Sequence, residues 1–211
     1  MRPPSSQFGA DITNAENSDP NNMHPMMVCT RLAGRAIIRV VGRCNDAKEN
    51  NNLDLSECQL MQVPDAVYHL MRHTELKGCN LSSNVITKIP PKFAVKFSLI
   101  TELNLSNNQM SKLPDELADL TELEKLDISH NSFTSLPHVA YKTPKLTTLN
   151  AHHNFITEVD IERLKECPSL QDVDLQENPL TRKCTEALQN VTVFRIAVTV
   201  RPLQDWEDLT I

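Results

Sequence analysis

Residues 101–120 read TELNLSNNQMSKLPDELADL, and that stretch decides the fold. Leu103, Leu105, Asn108, Met110, Leu113, Pro114, Leu117 and Leu120 spell the pattern L-x-L-x-x-N-x-L-x-x-L-P-x-x-L-x-x-L, with Met110 in one leucine place. With the Asn place as ruler, the pattern recurs at Cys58, Asn84, Asn108, Asn131, Asn154 and Asn178, in steps of 26, 24, 23, 23 and 24 residues. So even a period marks these segments as repeats. One unit of this kind cannot bury its apolar face alone, so neighbours must stack into a curved solenoid, an architecture whose usual use is binding.

Each copy holds a short strand, centred on Leu53 to Leu55, Cys79 to Leu81, Leu103 to Leu105, Leu126 to Ile128, Leu149 to Ala151 and Val173 to Leu175. Successive side chains of a strand point to opposite faces, so these apolar pairs enter the core while the residues between and beside them face out. Strands of adjacent copies pair in parallel. The Asn side chain is placed to bond backbone groups that the bend after each strand leaves unpaired. Cys58 cannot do this well, which predicts a looser first copy. Pro64, Pro90, Pro114 and Pro137 then stop the strand before a short helix or irregular arc on the convex side. In the fifth copy Asp160 replaces the proline, and Ile161 and Leu164 behind it predict the best formed helix of the set.

A solenoid exposes its core at both ends, so caps are a physical need. Residues 29–52 are the amino-terminal candidate: Thr30 to Cys44 predicts a helix behind a Thr30 N-cap, with a strand over Ala36 to Val41 as the alternative. Residues 181–200 form the carboxy-terminal candidate, with a helical turn over Thr181 to Gln189 and an extended edge over Val191 to Val200. Arg195 within that edge is expected to discourage pairing with other chains. The repeats themselves occupy 53–180. Residues 1–28, rich in Asn, Pro, Ser and Met, read as a disordered extension. Residues 201–211 form a tail in which Trp206 either packs on the last repeat or serves as a docking anchor amid Asp205, Glu207 and Asp208.

At 211 residues the chain has room for one solenoid with tails, and 4% aromatic residues within 40% apolar ones make its core aliphatic. A net charge of −6 and the lack of any basic run argue against a nucleic-acid partner, because phosphate binding needs clustered Lys and Arg. No apolar stretch approaches the roughly 20 residues of a spanning helix, and Met1 to Asn22 lacks the apolar centre of a signal peptide. The expectation is a cytoplasmic chain without membrane attachment. Cys58 and Cys79 fall on core places, and the solitary Cys184 cannot build a cysteine-rich cap, which favours a reducing compartment.

The outward strand residues form the concave sheet, the expected partner-binding face. Its candidates are Asp54, Asn80, Glu102, Asn104, Lys125, Asp127, Asn150, His152, Asp172 and Asp174. Five acids against one base suit a basic or extended polar segment of a protein partner. The face also lacks the Trp, Tyr and Arg that supply most hot spots, so affinity through it alone should be modest. Merely solvated sheet positions are the alternative. His130 and His153 are equivalent in adjacent copies, about 4.8 Å apart by strand spacing, beside His152 and near Asp127. That grouping makes a zinc or nickel site conceivable, although solvated strand-end histidines are the ordinary case and no metal ligand set is assigned.

No catalytic set emerges. Ser56, Ser82, Ser106 and Ser129 recur because the repeat recurs, four glycines leave no phosphate loop, and Cys167 and Cys184 lack a His partner at recognisable spacing. No cofactor is expected.

The copies carrying L-P-x-x-L, as in Leu113 to Leu117, resemble intracellular leucine-rich repeats of roughly 23 residues found in Ras-pathway scaffolds. LDLSECQLMQVPDAVYHL from Leu53, LPDELADLTELEKLDISHNSF from Leu113 and ENPL from Glu177 carry the likeness, which runs from about residue 30 to 200. Ala151, His152 and His153 depart from the strand pattern. The resemblance implies an α/β solenoid: a right-handed leucine-rich repeat horseshoe of six copies, a parallel concave sheet and a helical amino-terminal cap. It further implies a cytoplasmic interaction protein without established activity. A monomeric, non-enzymatic scaffold or adaptor is the expectation; a targeting subunit of a signalling enzyme such as a phosphatase, or a part of a cytoskeletal or ciliary assembly, are the alternatives.

Overall fold

The computed structural model describes residues 25–199, with side chains from Ala36 onward. The chain divides into two units. The described part of the first, residues 25–37, is the opening stretch of helix α1 (Pro25–Asn50). Proline suits a first helical position, where its missing N–H costs nothing. Thr30 thus lies inside the helix instead of capping it, and the helix prevails over the alternative strand. Of the expected disordered extension, residues 1–24 lie outside the described residues, as does the tail with Trp206, whereas residues 25–28 belong to the helix.

The second unit begins at Ile38 and holds the end of α1 and all of the strands. The strands are β1 (Asn52–Asp54), β2 (Gly78–Asn80), β3 (Glu102–Asn104), β4 (Lys125–Asp127), β5 (Thr148–Asn150), β6 (Asp172–Asp174) and β7 (Arg195–Ala197). All pair in parallel, in chain order, within one seven-stranded sheet. The extended edge expected after Val191 therefore contributes a seventh strand. Between strands lie α2 (Asp65–Leu70), α3 (Lys92–Lys96), a 3-10 turn (Asp115–Asp119), α4 (Val139–Lys142), α5 (Ile161–Lys165) and α6 (Arg182–Gln189). α5 is shorter than α2, five residues to six, so it is not the longest arc of the set. Asp160 does cap it, accepting from the Arg163 amide, and Thr181 caps α6 in the same manner.

The register stacks Leu53, Cys79, Leu103, Leu126, Leu149 and Val173 in one buried row. Leu55, Leu81, Leu105, Ile128, Ala151 and Leu175 form a second row with no exposed surface. Val40, Cys44 and Ala47 of α1 join this core, whereas Val41 faces outward. The five described cysteines are free and buried, and burial pushes the Cys79 thiol up to about 12, leaving it inert.

The asparagines tie the copies together. Asn131 accepts from the Met110 amide of the preceding copy at 3.0 Å. Its Nδ2 donates to Leu105 of that copy and to Ile128 and Ser129 of its own, at 2.9 to 3.1 Å. Asn84, Asn108, Asn154 and Asn178 repeat the arrangement. Cys58 has no amide to offer, and other side chains serve its two carbonyls. Asn84 donates to Leu55 O at 2.9 Å, and Arg43 of α1 donates to Ser56 O and Asp54 O. Arg39, one helical turn earlier, donates to Glu57 O at 2.9 Å. The helix thus satisfies the open edge of β1, which has no preceding strand among the described residues.

Asn131→Ala leaves the buried Met110 amide without a partner and takes one of two hydrogen bonds from each of the Leu105, Ile128 and Ser129 carbonyls, which keep donors in Asn108, Asn154 and Asn107. It is expected to lower unfolding stability by about 2 kcal/mol or more in urea titration, since a buried group left unpaired costs roughly 1–3 kcal/mol. Asn131→Asp should do no better at pH 7, since it sets a carboxylate against three carbonyls.

Candidate functional site

The register that buries the leucines also lays the polar strand residues in parallel rows. Asn52, Gly78, Glu102, Lys125, Thr148, Asp172 and Arg195 form the first. Lys125 and Glu102 pair at 2.6 Å, and Arg195 pairs with Asp172. Arg195 lies on β7, the last strand of the sheet, where β6–β7 pairing also makes it a concave-face cation beside Asp172. At Gly78 a Cβ would lie 2.3 Å from Asn52 Oδ1, the end of an exposed side chain that would have to turn aside.

The second row is Asp54, Asn80, Asn104, Asp127, Asn150 and Asp174. Every one of them uses Oδ1 to accept the amide two residues on, at 2.9 to 3.1 Å. Half of each side chain thus turns the chain out of the strand. Only the other half, Oδ2 or Nδ2, is left to face a partner, and Asn150 Nδ2 already donates to Asp127 Oδ2 at 3.1 Å. Burial acts to raise the Asp54 carboxyl, but hydrogen bonds from Ser56 and the Arg43 guanidinium 3.5 Å away outweigh it and hold the group below its ordinary value.

The ten candidate residues all come together on this one face, and β1–β5 line a trough of about 490 Å³ along it. Its charge differs from five acids against one base. Arg43 and Arg195 neutralise Asp54 and Asp172, and Lys125 neutralises Glu102. Asp127 and Asp174 remain without a cation among the described residues. Sequence reasoning missed both arginines as parts of the face. The one available signal for Arg43 was its place four residues after Arg39, on the same flank of a capping helix.

The histidines also meet. The His130 ring stacks on His153, with centroids 4.6 Å apart, and meets His152 edge-on at 5.2 Å. Among the described residues, no group of three or more His, Cys, Asp or Glu is placed to hold a metal ion. His152 Nδ1 is sealed from solvent and has no hydrogen-bond partner among them. His130 and His153 sit at φ 51° and 52°, in the left-handed region that the residue before each repeat asparagine shares.

With this geometry in view, likeness to known proteins decides the family. The model of the leucine rich repeat matches residues 74–133 and 121–180. Leucine-rich repeat-containing protein 20 of Mus musculus is 42% identical over 155 residues, which cover 72% of this chain and 84% of that protein. The chain belongs to the leucine-rich repeat family. Among solved structures, the leucine-rich repeat protein LIC12759 of Leptospira interrogans is 31% identical with a TM-score of 0.56, over 65% of this chain and 34% of that one. The TLR13–ssRNA13 complex matches at 22% identity and a TM-score of 0.60, over 71% of this chain and 21% of that one, which supports the fold. Leucine-rich repeat proteins typically mediate protein–protein interaction. No helix among the described residues is long and apolar enough to cross a membrane.

Burial first, and the imidazoles of His153 and His152 next, hold His130 below its ordinary 6.5, with Asp127 acting the other way. Between the folded value and 6.5 the unfolded chain takes up a proton that the folded chain refuses, so stability falls as pH drops into that window. His130→Asn removes the group and keeps a residue that tolerates this φ, as Asn107 does one copy earlier. Denaturation midpoints at pH 7.5 and 5.5 should therefore separate more for the parent chain than for this variant; equal separations would show that His130 carries no such linkage.

Proposed function

We propose that this leucine-rich repeat chain is a non-catalytic intracellular scaffold or adaptor that holds an extended protein segment along its concave face. The observation that carries this reading is the trough lined by β1–β5, floored by small polar side chains whose orientation the backbone already sets. Ordering costs there are met before a partner arrives, which favours binding on a face poor in aromatic anchors. Buried, free thiols at Cys44, Cys58, Cys79, Cys167 and Cys184 fit a reducing compartment.

One solved structure of similar fold, the TLR13–ssRNA13 complex, contains RNA. On this chain the concave face bears five carboxylates against three cations, counting Arg43 and Arg195. That balance repels a phosphate backbone and favours a protein segment.

Photo-crosslinked partners captured from lysate should be lost on Asp127→Lys with Asn150→Lys and kept on Glu116→Lys, which changes the exposed 3-10 turn. Circular dichroism would confirm that all the chains fold. Retention of every partner by the doubly substituted chain would overturn the concave-face reading.

A further inference from the structure

Charge on the concave sheet is compensated unevenly. Over β1–β3 and along the first row, acids have cations: Arg43 for Asp54, Lys125 for Glu102, Arg195 for Asp172. Asp127 on β4 and Asp174 on β6 have none among the described residues. They share one register, with Asn150 of β5 between them. Two strand spacings set their backbones about 9.6 Å apart. Each has its Oδ1 fixed at 2.9 Å by an amide, that of Ser129 or Gln176, and Asp127 Oδ2 also accepts from Asn150 Nδ2 at 3.1 Å, so neither carboxylate must be ordered to receive a ligand and a donor to Asp127 would share Oδ2 with Asn150.

A second, independent observation lies beside this pair. His152 follows Asn150 by two residues, just past the end of β5, and its ring belongs to a group of three imidazoles with centroids 4.6 to 6.0 Å apart. Its Nδ1 is buried without a partner, an unusual state for a polar atom in a folded chain. These planar rings lie just past the ends of β4 and β5, whose last residues are Asp127 and Asn150.

We propose that the β4–β6 portion of the concave face recognises an arginine side chain on the bound segment. This rests on the concave-face reading above. A guanidinium lying over Asn150 presents donors on opposite edges and reaches toward Asp127 on one side and Asp174 on the other, with hydrogen bonds of about 2.8 Å. A compact ammonium cannot reach across the same gap to both. The guanidinium is also flat, weakly hydrated and able to stack on an imidazole, whereas lysine offers a strongly hydrated point charge. Both the spacing of the carboxylates and the rings therefore select arginine over lysine.

The test titrates the full-length, 15N-labelled chain with a blocked Ser-Gly-Arg-Gly-Ser peptide, its lysine and citrulline counterparts serving as probes of shape and charge. Saturable amide shifts centred on Asn150, His152 and Asp174 are expected, with affinity for the arginine peptide about threefold or more above that for lysine and no saturation with citrulline. Asp127→Asn with Asp174→Asn should weaken the arginine peptide by about tenfold or more. The charge-matched control, Glu116→Gln with Glu166→Gln, should leave it unchanged. Equal affinity for lysine, an unaffected double variant, or no saturable shift overturns the arginine inference. Shifts centred on β1–β3 would also overturn it while leaving concave-face binding standing, and shifts confined to the convex arcs would count against both. Capture from lysate by the parent chain judges the broader reading separately.

Discussion

The structure depends on one repeated constraint: a buried asparagine amide that must satisfy backbone groups in two successive copies at once. A leucine row gives cohesion but little direction, because apolar contact is roughly proportional to area and tolerant of sliding. The asparagine removes that tolerance. Asn108 accepts from Ile86 N of the copy before while donating to Leu81 O, Leu105 O and Ser106 O. A slip of one residue would strand these groups in a core where each unpaired one is costly. Register is thereby fixed across the sheet, and with it the position of every outward side chain.

Fixed register has a consequence for the concave face. Residues at equivalent places become lateral neighbours, so the face is written in rows that run across the copies. Row neighbours can cancel each other. Glu102 and Lys125, 23 residues apart in the chain, neutralise each other because β3 and β4 pair in register. Asp172 and Arg195 do likewise between β6 and β7. Asp127 and Asp174 escape this because the row neighbour they share is the neutral Asn150. A uniform acidic surface is thus replaced by one place where the carboxylates have no cation among the described residues.

The repeat period made the strands, the buried rows and the membership of the concave face legible from sequence, since a fixed step of 23 to 26 residues maps one copy directly onto the next. The equivalence of His130 and His153 likewise foretold that their rings would meet. What stayed hidden lies where the period ends. Arg43 meets Asp54 and Ser56 only because α1 packs across the edge of β1, a geometry that no repeat step encodes. Arg195 stands one repeat step of 23 residues after Asp172, but its segment lacks the leucine and asparagine pattern that marks the other copies, so the step alone did not announce a seventh strand. Thr30 looked like a helix start because local capping chemistry cannot tell a first turn from an interior one when Pro25 offers an earlier start. The division of labour within each Asp and Asn of the second row was hidden as well: alternation predicts which face a residue occupies, not that half of its side chain will be spent on the chain's own bend.

The residues preceding each repeat asparagine show how such a scaffold acquires individuality. Glu57, Ser83, Asn107, His130, His153 and Glu177 all adopt φ between 51° and 55°, a region that favours glycine or asparagine and costs other side chains free energy. None is glycine and only one is asparagine. The cost is borne because the flanking ladder over-determines the backbone: the amides of Ser83, Asn107, His130 and His153 are each held by a carbonyl of the next copy at 2.9 to 3.0 Å. Since the ladder rather than the residue type sets the conformation, the side chain at this place is free to vary with chemistry instead of geometry. Histidine at two successive copies is the product of that freedom, and with His152 the pair forms a group of three imidazoles just past the ends of β4 and β5.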